Sequence, residues 1–524
     1  MVKEFNVTGL CFPEDHYMAD VSEKVAQTYK MIEKGNYFII NRPRQYGKTT
    51  LLYTLEAQLL QSEKYFVLNM SFEGIGDDIF TEEKLFSKGF VEMLSDYSPR
   101  SETAIRNWLA SVAPQTNSLK DVSKVISELA SKTDKKLVIL IDEVDKSSNN
   151  QLFVSFLALL RNKYLERKRE GTFHSVVLAG VHDVKSLKLK IRPDSEQKYN
   201  SPWNVGTEFE VDMSLSIPEI KTMLEAYIAD TEVKMNTQHI ADKLSYFTSG
   251  YPYLVSKLCK IIDEKILPSK PIKEWTEADV NNASNLLLRE PNNVNFDTVL
   301  KNLENYPDLN DMVFRIVING EAIDYSDYVP TINLGVMHGI LARSERDKVM
   351  IHNRIYRELI GNMMIGKWRT SHLDLPLTVD YRNPYLLPQN GLNMENVLLN
   401  FQSFMKLQYS SKDRAFLERD GRLIFLAFLK PIINGAGYDF KEPQISEERR
   451  LDVIITYYQH LYLTELKIWR GEAAHQEGLL QLVDYLNRMD LSTGYLVIFD
   501  HSKRKSWKNG WLDIEGKRIF WARV

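Results

Sequence analysis

Residues 41–50, Asn-Arg-Pro-Arg-Gln-Tyr-Gly-Lys-Thr-Thr, decide the fold of this chain. They follow the pattern G-x-x-x-x-G-K-[ST], except that Arg42 stands where the first glycine is expected. The half that carries the chemistry is complete. Gly47 lets the backbone close round a phosphate, Lys48 brings a point charge to the β and γ oxygens, and the Thr49 hydroxyl can ligate Mg²⁺. Arg44, Gln45, Tyr46 and Thr50 complete the stretch expected to surround the phosphates. Such a loop needs a strand before it and a helix after it. Tyr37–Ile40 reads as a buried strand and Leu51–Leu60 as an apolar helix, so the order is the required one. A nucleoside triphosphate site follows, with ATP and Mg²⁺ as the expected cofactors.

A second apolar run, Lys136–Ile141, has the continuous hydrophobicity of a central parallel strand and ends in Asp142-Glu143. Carboxylates in such a place are costly unless they are used. In phosphate-loop enzymes the first acid holds Mg²⁺ through water and a neighbouring Glu polarises the attacking water, which assigns a metal role to Asp142 and a catalytic one to Glu143. Asp145 and Ser147 read as the cap of the next helix. Ser175–Val181 is a further buried run and leads into His182-Asp183. Either residue is a candidate sensor of the γ-phosphate; an exposed loop pair is the equal alternative.

Alternating strands and helices make residues 1–216 an α/β ATPase core. From Ile217 the pattern turns helical, with Ile220, Met223, Leu224 and Ile228 on one face and Gly250-Tyr251-Pro252 between two helices, which reads as a helical lid over 217–294. Residues 295–370 combine short helices with the apolar strand Lys348–Ile351, as in a winged-helix-like module. Its helices are not notably basic, which favours packing over DNA binding. Pro376, Pro384, Pro388 and Gly391 mark 371–392 as a linker, and 393–524 should form a separate domain.

The bulk composition excludes several classes. Across 524 residues, 66 basic side chains face 70 acidic ones for a net charge of −4, so a nucleic-acid partner would need a local basic patch. Lys185–Arg192, Arg161–Arg169 and His501–Lys508 are the candidate clusters, with a solvated face as the plainer reading of each. Cys11 and Cys259 supply neither a disulfide framework nor zinc-ligand spacing. No targeting segment and no apolar run of roughly 18 residues is found, which points to a cytoplasmic protein without a membrane span.

In the last domain, Arg450–Tyr458 and Leu461–Trp469 are β-rich runs that predict a hairpin turning at Gln459-His460. That turn would set Asp452 opposite Lys467, with Glu465 two positions away on the same face. Val453, Ile455, Leu466 and Ile468 imply burial, and buried carboxylates need partners. An Asp–Lys ion pair is the structural alternative, but it leaves Glu465 to be accounted for by a divalent cation shared with Asp452. Asp452 and Glu465 are therefore candidate Mg²⁺ ligands that activate water, with Lys467 orienting that water or neutralising charge. Downstream, His475–Asn487 is an amphipathic helix carrying Gln481 and Tyr485, and Thr493–Asp500 is a core strand; upstream, Glu418 lies near a helix start. Helix, three strands, helix, strand is the element order, and an Asp followed by Glu-x-Lys on the adjoining strand is the signature of the PD-(D/E)xK phosphodiesterases.

Arg42–Thr50, Ser201–Asn204 and Glu465–Gly471 together resemble a prokaryotic family in which an AAA-like ATPase domain of STAND or archaeal type is joined to a C-terminal PD-(D/E)xK nuclease-like domain. The resemblance extends over essentially the whole chain. It implies an α/β fold, a P-loop NTPase domain with helical lid and winged-helix-like module, plus a C-terminal α/β restriction-endonuclease-like domain. It also implies that Gly250-Tyr251-Pro252 is the lid motif near adenine, with Pro252 as a nucleotide contact, and that Tyr17 and Asp20 belong to an N-terminal Tyr…Asp segment. Glu418, Gln481 and Tyr485 resemble accessory nuclease positions. No second sensor arginine is identified, and Arg192 is the candidate finger acting across a homo-oligomer. The function implied is ATP-controlled, Mg²⁺-dependent cleavage of nucleic acid, DNA above all, in defence against foreign DNA. The rival readings are a signalling or scaffold ATPase whose last domain binds nucleic acid or protein without cutting, and an ATPase motor on DNA.

Overall fold

The computed structural model describes residues 3–144, 151–181, 209–318, 321–372, 385–388, 391–408, 414–433, 437–440, 453–457, 460–469, 471–500, 502 and 506–524. They divide into two compact units. The first comprises Met1–Asn302, Tyr325–Ser344 and His352–Tyr356; the second comprises Leu303–Asp324, Glu345–Ile351 and Arg357–Val524.

The first unit is built on four parallel strands, β1 (Tyr37–Asn41), β2 (Tyr65–Ser71), β3 (Lys136–Asp142) and β4 (Ser175–Gly180), in the order β1-β4-β3-β2 among the described residues. β4 pairs Gly180 with Asn41 on one side and Leu178 with Ile141 on the other, so it is the extra strand between loop strand and acid strand. Parallel strands covered on both faces read as unbroken apolar runs, which is why β3 is Leu-Val-Ile-Leu-Ile before its acid. The covering helices are α1 (Ser22–Glu33), α2 (Lys48–Gln61), α3 (Glu83–Asp96), α4 (Thr103–Val112), α5 (Leu119–Ser131) and α6 (Gln151–Glu166). Phe72, Phe86, Phe90 and Phe156 lie in the core they share with β2 and β3, and Phe90 meets Phe156 edge-on at 4.8 Å. Each such ring contributes roughly 1.5–3 kcal/mol by leaving water.

Four helices follow, α7 (Ile217–Asp230), α8 (Thr237–Thr248), α9 (Pro252–Ile261) and α10 (Glu277–Leu288). α7 opens on a capping box in which the Ser216 and Glu219 side chains each accept the other's backbone N–H. Between α8 and α9, Gly250 has φ +73°, and a Cβ there would stand 2.2 Å from the Leu215 carbonyl oxygen. Glycine is required at that crossing by the approach of two backbones as much as by the dihedral. Residues 294–372 form α11 (Val294–Asn305), α12 (Pro307–Val317), α13 (Pro330–Met337), the short strands β5 (Leu341–Arg343) and β6 (Val349–Ile351), and α14 (Arg354–His372).

In the second unit a two-stranded pair, β7 (Leu386–Leu387) and β8 (Gly391–Leu392), precedes α15 (Met394–Gln408) and α16 (Arg414–Ile433). Then come β9 (Gly437–Phe440), β10 (Val453–Tyr457), β11 (His460–Ile468), α17 (Glu472–Arg488), β12 (Thr493–Phe499), β13 (Asn509–Ile514) and β14 (Lys517–Arg523). The strands make one mixed sheet, β13-β14-β12-β11-β10-β9. Leu479, Leu482 and Leu486 of α17 pack on Leu463, Leu496 and Ile498 of the sheet.

The hairpin β10–β11 is present, but its register corrects the expected one. Tyr457 pairs with His460 and Val453 with Thr464, so His460 already belongs to β11 and is not part of the turn. The expected pairing of Asp452 with Lys467 is displaced by two residues. A slip of two keeps every side chain on its face, whereas a slip of one would have turned the acids over. Asp452 itself lies outside the described residues.

Candidate functional site

At the carboxyl end of β1 the chain turns through the phosphate loop into α2. Gly47 caps α2 with φ +77°, and nothing lies within 4 Å of where its Cβ would be, which leaves open space beside the backbone N–H groups that open the helix. Lys48 is buried to 5% exposure, and its Nζ donates to the carbonyls of Arg42 (3.0 Å) and Pro43 (2.9 Å). The loop's own carbonyls thus aim the ammonium. Thr49 is exposed, and its hydroxyl donates to Asp142 Oδ2 at 2.6 Å across the end of the sheet. Asp142 Oδ1 accepts the Glu143 N–H at 2.8 Å. Glu143 has φ +52°, a left-handed turn immediately beyond the strand.

This geometry fits a Mg²⁺–nucleoside triphosphate. The open cradle at Gly47 suits an anion, and a hydroxyl held by a buried carboxylate is the oxygen donor pair such an ion takes alongside phosphate oxygens and water. Among the described residues no three His, Cys, Asp or Glu side chains gather into a metal cage.

Arg42 does not enter the cradle. Its guanidinium donates to the carbonyls of Asn41 (3.0 Å), Phe209 (3.3 Å) and Val211 (2.9 Å) and lies over the Phe209 ring at 5.4 Å. The next residues are fastened too. A Cβ on Gly339 would be 2.8 Å from Pro43, Tyr251 Oη donates to the Arg44 carbonyl (2.6 Å), and Asn295 Nδ2 donates to Gln45 Oε1 (2.9 Å). Tyr46 Oη lies 2.8 Å from Ser214 Oγ and 2.9 Å from His352 Nε2. Burial pushes the Tyr46 phenol up to about 12 and holds His352 down to about 4, so both are neutral at physiological pH. Thr50 Oγ1 accepts the Cys11 N–H at 3.3 Å.

Of the lid motif, Pro252 is the first residue of α9, and Tyr251 is the side chain that reaches the loop. Tyr17 joins an aromatic cluster with Phe5 and Tyr227, while Asp20 lines a cavity of about 680 Å³ between residues 13–25 and the Thr54–Gln61 face of α2. His182, Asp183, Arg192, Asp145, Ser147 and Ser201–Asn204 lie outside the described residues. Sequence reasoning did not single out Ser214, Asn295, His352 or Tyr356 for this site, because nothing in their local pattern sets them apart; Tyr251 could have been found, since it stands inside Gly-Tyr-Pro.

In the second unit, Glu465 is fully buried on β11, between β10 and β12. Lys467, two residues on and on the same face, places Nζ 2.9 Å from Glu465 Oε1 and donates to Gln481 Oε1 of α17 at 3.0 Å. Three of the expected residues are therefore one cluster. Tyr485 is buried on the same helix, one turn beyond Gln481. Glu418 falls in the first turns of α16, but its side chain lies outside the described residues.

Residues 15–361 match the family described as AAA-like domain. No curated protein matches the chain. Similar solved structures include a Walker-type ATPase of Pyrococcus abyssi (13% identity, covering 68% of this chain and 99% of that one, TM-score 0.45). Others are the ORC2 protein of Aeropyrum pernix (13%, 70% and 98%, TM-score 0.38) and the RuvB Holliday junction branch migration motor of Thermotoga maritima (15%, 66% and 95%, TM-score 0.33). With TM-scores below 0.5, these likenesses carry no argument about what the chain does.

Proposed function

The chain belongs to the AAA-like domain family, and we propose from that premise that it binds and hydrolyses ATP with Mg²⁺, the nucleotide state controlling a nuclease-like domain at its C-terminal end. One observation carries the first half: Thr49 and Asp142, 93 residues apart, meet at 2.6 Å beside the Lys48 loop. Lys48 neutralises phosphate charge, Asp142 holds the Thr49 hydroxyl in place, and Glu143 orients water. When bound, Mg²⁺ supplies charge stabilisation at the β and γ oxygens. His182, Asp183 and Arg192 remain the proposed sensors and finger, Pro252 the adenine contact, and the finger requires a homo-oligomer. The lid at 217–294, the winged-helix-like module at 295–370, the linker at 371–392 and a cytoplasmic location belong to the same proposal; among the described residues no helix is long and apolar enough to cross a membrane. ATP hydrolysis by the purified chain, lost in Lys48→Ala and Glu143→Gln with ATP still bound by the latter, tests it. Hydrolysis that survives both substitutions overturns it.

For the second half, Glu465, Lys467 and Gln481 support a metal-dependent phosphodiesterase in which Asp452 and Glu465 hold Mg²⁺ and Lys467 orients water, acting on DNA in defence against foreign sequence. A panel of single- and double-stranded DNA and RNA with Mg²⁺ or Mn²⁺, with and without ATP, tests this, and cleavage retained by the Asp452→Ala/Glu465→Ala double variant defeats it. The Lys467–Glu465 ion pair favours a second reading, because it compensates the buried acid without a metal. A signalling or scaffold ATPase whose last domain binds nucleic acid or protein without cutting would give binding and no products in the same panel.

A further inference from the structure

We infer that Tyr251, Asn295 and Tyr46 are positioning residues that hold the phosphate loop in the shape a nucleotide's phosphates require; the inference rests on the nucleotide reading above. Five consecutive residues, Arg42 to Tyr46, are each attached to a different segment of the first unit lying beyond residue 208. Ordinary turns are not secured in this way. The attachments are buried: Tyr46, Tyr251, Asn295 and Tyr356 are each at most 5% exposed. They are also linked to one another. Asn295 donates to Gln45 while its Oδ1 accepts the Tyr356 hydroxyl at 2.8 Å, and the Tyr46 and Tyr251 rings meet edge-on at 4.6 Å.

Gln45 shows what the attachments accomplish. It is an exposed non-glycine residue at φ +57°, a strained conformation that persists only where surroundings over-determine it. A loop held in advance binds its ligand without the entropic cost of ordering. These residues touch the loop rather than the reacting atoms, so they should govern affinity and leave the chemical step alone.

Titration of Mg·ATP and ADP into the full chain and into Tyr251→Phe, Tyr46→Phe and Gln45→Asn tests the inference. The first two variants remove one hydroxyl each. Asparagine tolerates the left-handed backbone but is one methylene too short for Asn295. Each variant should bind both nucleotides about three- to tenfold more weakly, the effect of one lost hydrogen bond. The melting temperature without nucleotide should fall only as far as one lost hydrogen bond allows, while its rise on adding nucleotide shrinks. In hydrolysis by Tyr251→Phe, the variant outside the phosphate loop, KM for ATP should rise with kcat unchanged. Wild-type affinity in all three variants overturns the inference, as does a lowered melting temperature with affinity intact. Lys48→Ala separates the two levels: a wild-type chain that binds no nucleotide, or binds it as well as Lys48→Ala does, removes the nucleotide reading itself.

Discussion

Asp142 and Glu465 are both buried acids on central strands, yet their oxygens are met by different partners. Asp142 accepts from a hydroxyl and a backbone N–H, neutral donors that orient the carboxylate and leave its charge available to a cation arriving with a ligand. Glu465 lies against the Lys467 ammonium, so its charge is met within the protein. The first acid meets neutral donors and the second meets a cation of its own strand. The difference separates the two sites: an acid held by neutral donors is compatible with a cation arriving beside it, whereas the ion pair already compensates the buried charge.

The comparison can be broken most forcefully at Lys467. Lys467→Met removes the cation from a fully buried acid and should cost about 3–5 kcal/mol of stability in denaturant titration. Recovery of that loss by Mn²⁺ would make Glu465 a metal ligand and erase the contrast with Asp142; no recovery would sharpen it. Next, Lys48→Ala should weaken Mg·ATP binding by about tenfold to a hundredfold, the range for charged hydrogen bonds, in calorimetric titration. Asp142→Asn keeps one acceptor oxygen, for Thr49, and replaces the charge and the second oxygen, which takes the Glu143 N–H, by an amide NH₂. It should therefore abolish the Mg²⁺ dependence of ATP binding while sparing metal-free binding, and an unchanged Mg²⁺ dependence would show that Asp142 is no more open to cations than Glu465.

The smallest effect concerns His352. Its folded value of about 4 lies below the ordinary value of about 6.5, so between these pH values the unfolded chain binds a proton that the folded one does not. Stability from this group is fully present above pH 6.5 and is lost as pH falls towards 4. The nearby Asp212 charge pulls the other way but less strongly than burial. His352→Gln should lose less stability than wild type between pH 7 and 4.5, by a few degrees of melting temperature, at about 2–4 °C per kcal/mol. Parallel curves would show that the histidine does not titrate with folding.

What could be read from sequence divides along similar lines. The loop, the acid pair after β3, the intervening strand β4 and the closeness of Glu465 to Lys467 were legible, because each depends on spacing within one or two adjoining elements; Gln481 came only with the family resemblance. β2, Tyr65–Ser71, went unremarked although its run is apolar; it bears no chemical motif to draw attention. The hairpin register was misplaced by two because Gln459 and His460 look as turn-like as Tyr458 and Gln459, and only the face parity survived. The fastenings of the loop were illegible for a simpler reason. Tyr251 meets Arg44 across 207 residues, Asn295 meets Gln45 across 250, and His352 meets Tyr46 across 306, and such pairings leave no periodicity behind.

Arg42, anchored to the carbonyls at 209 and 211, has a consequence for anyone engineering this protein. Restoring the consensus glycine at position 42 would bring the motif closer to its relatives while cutting the loop's first tether and adding backbone freedom to the unfolded chain. Here the repair would be the damage: a substitution that improves the match of the sequence to its pattern should yield the weaker nucleotide binder.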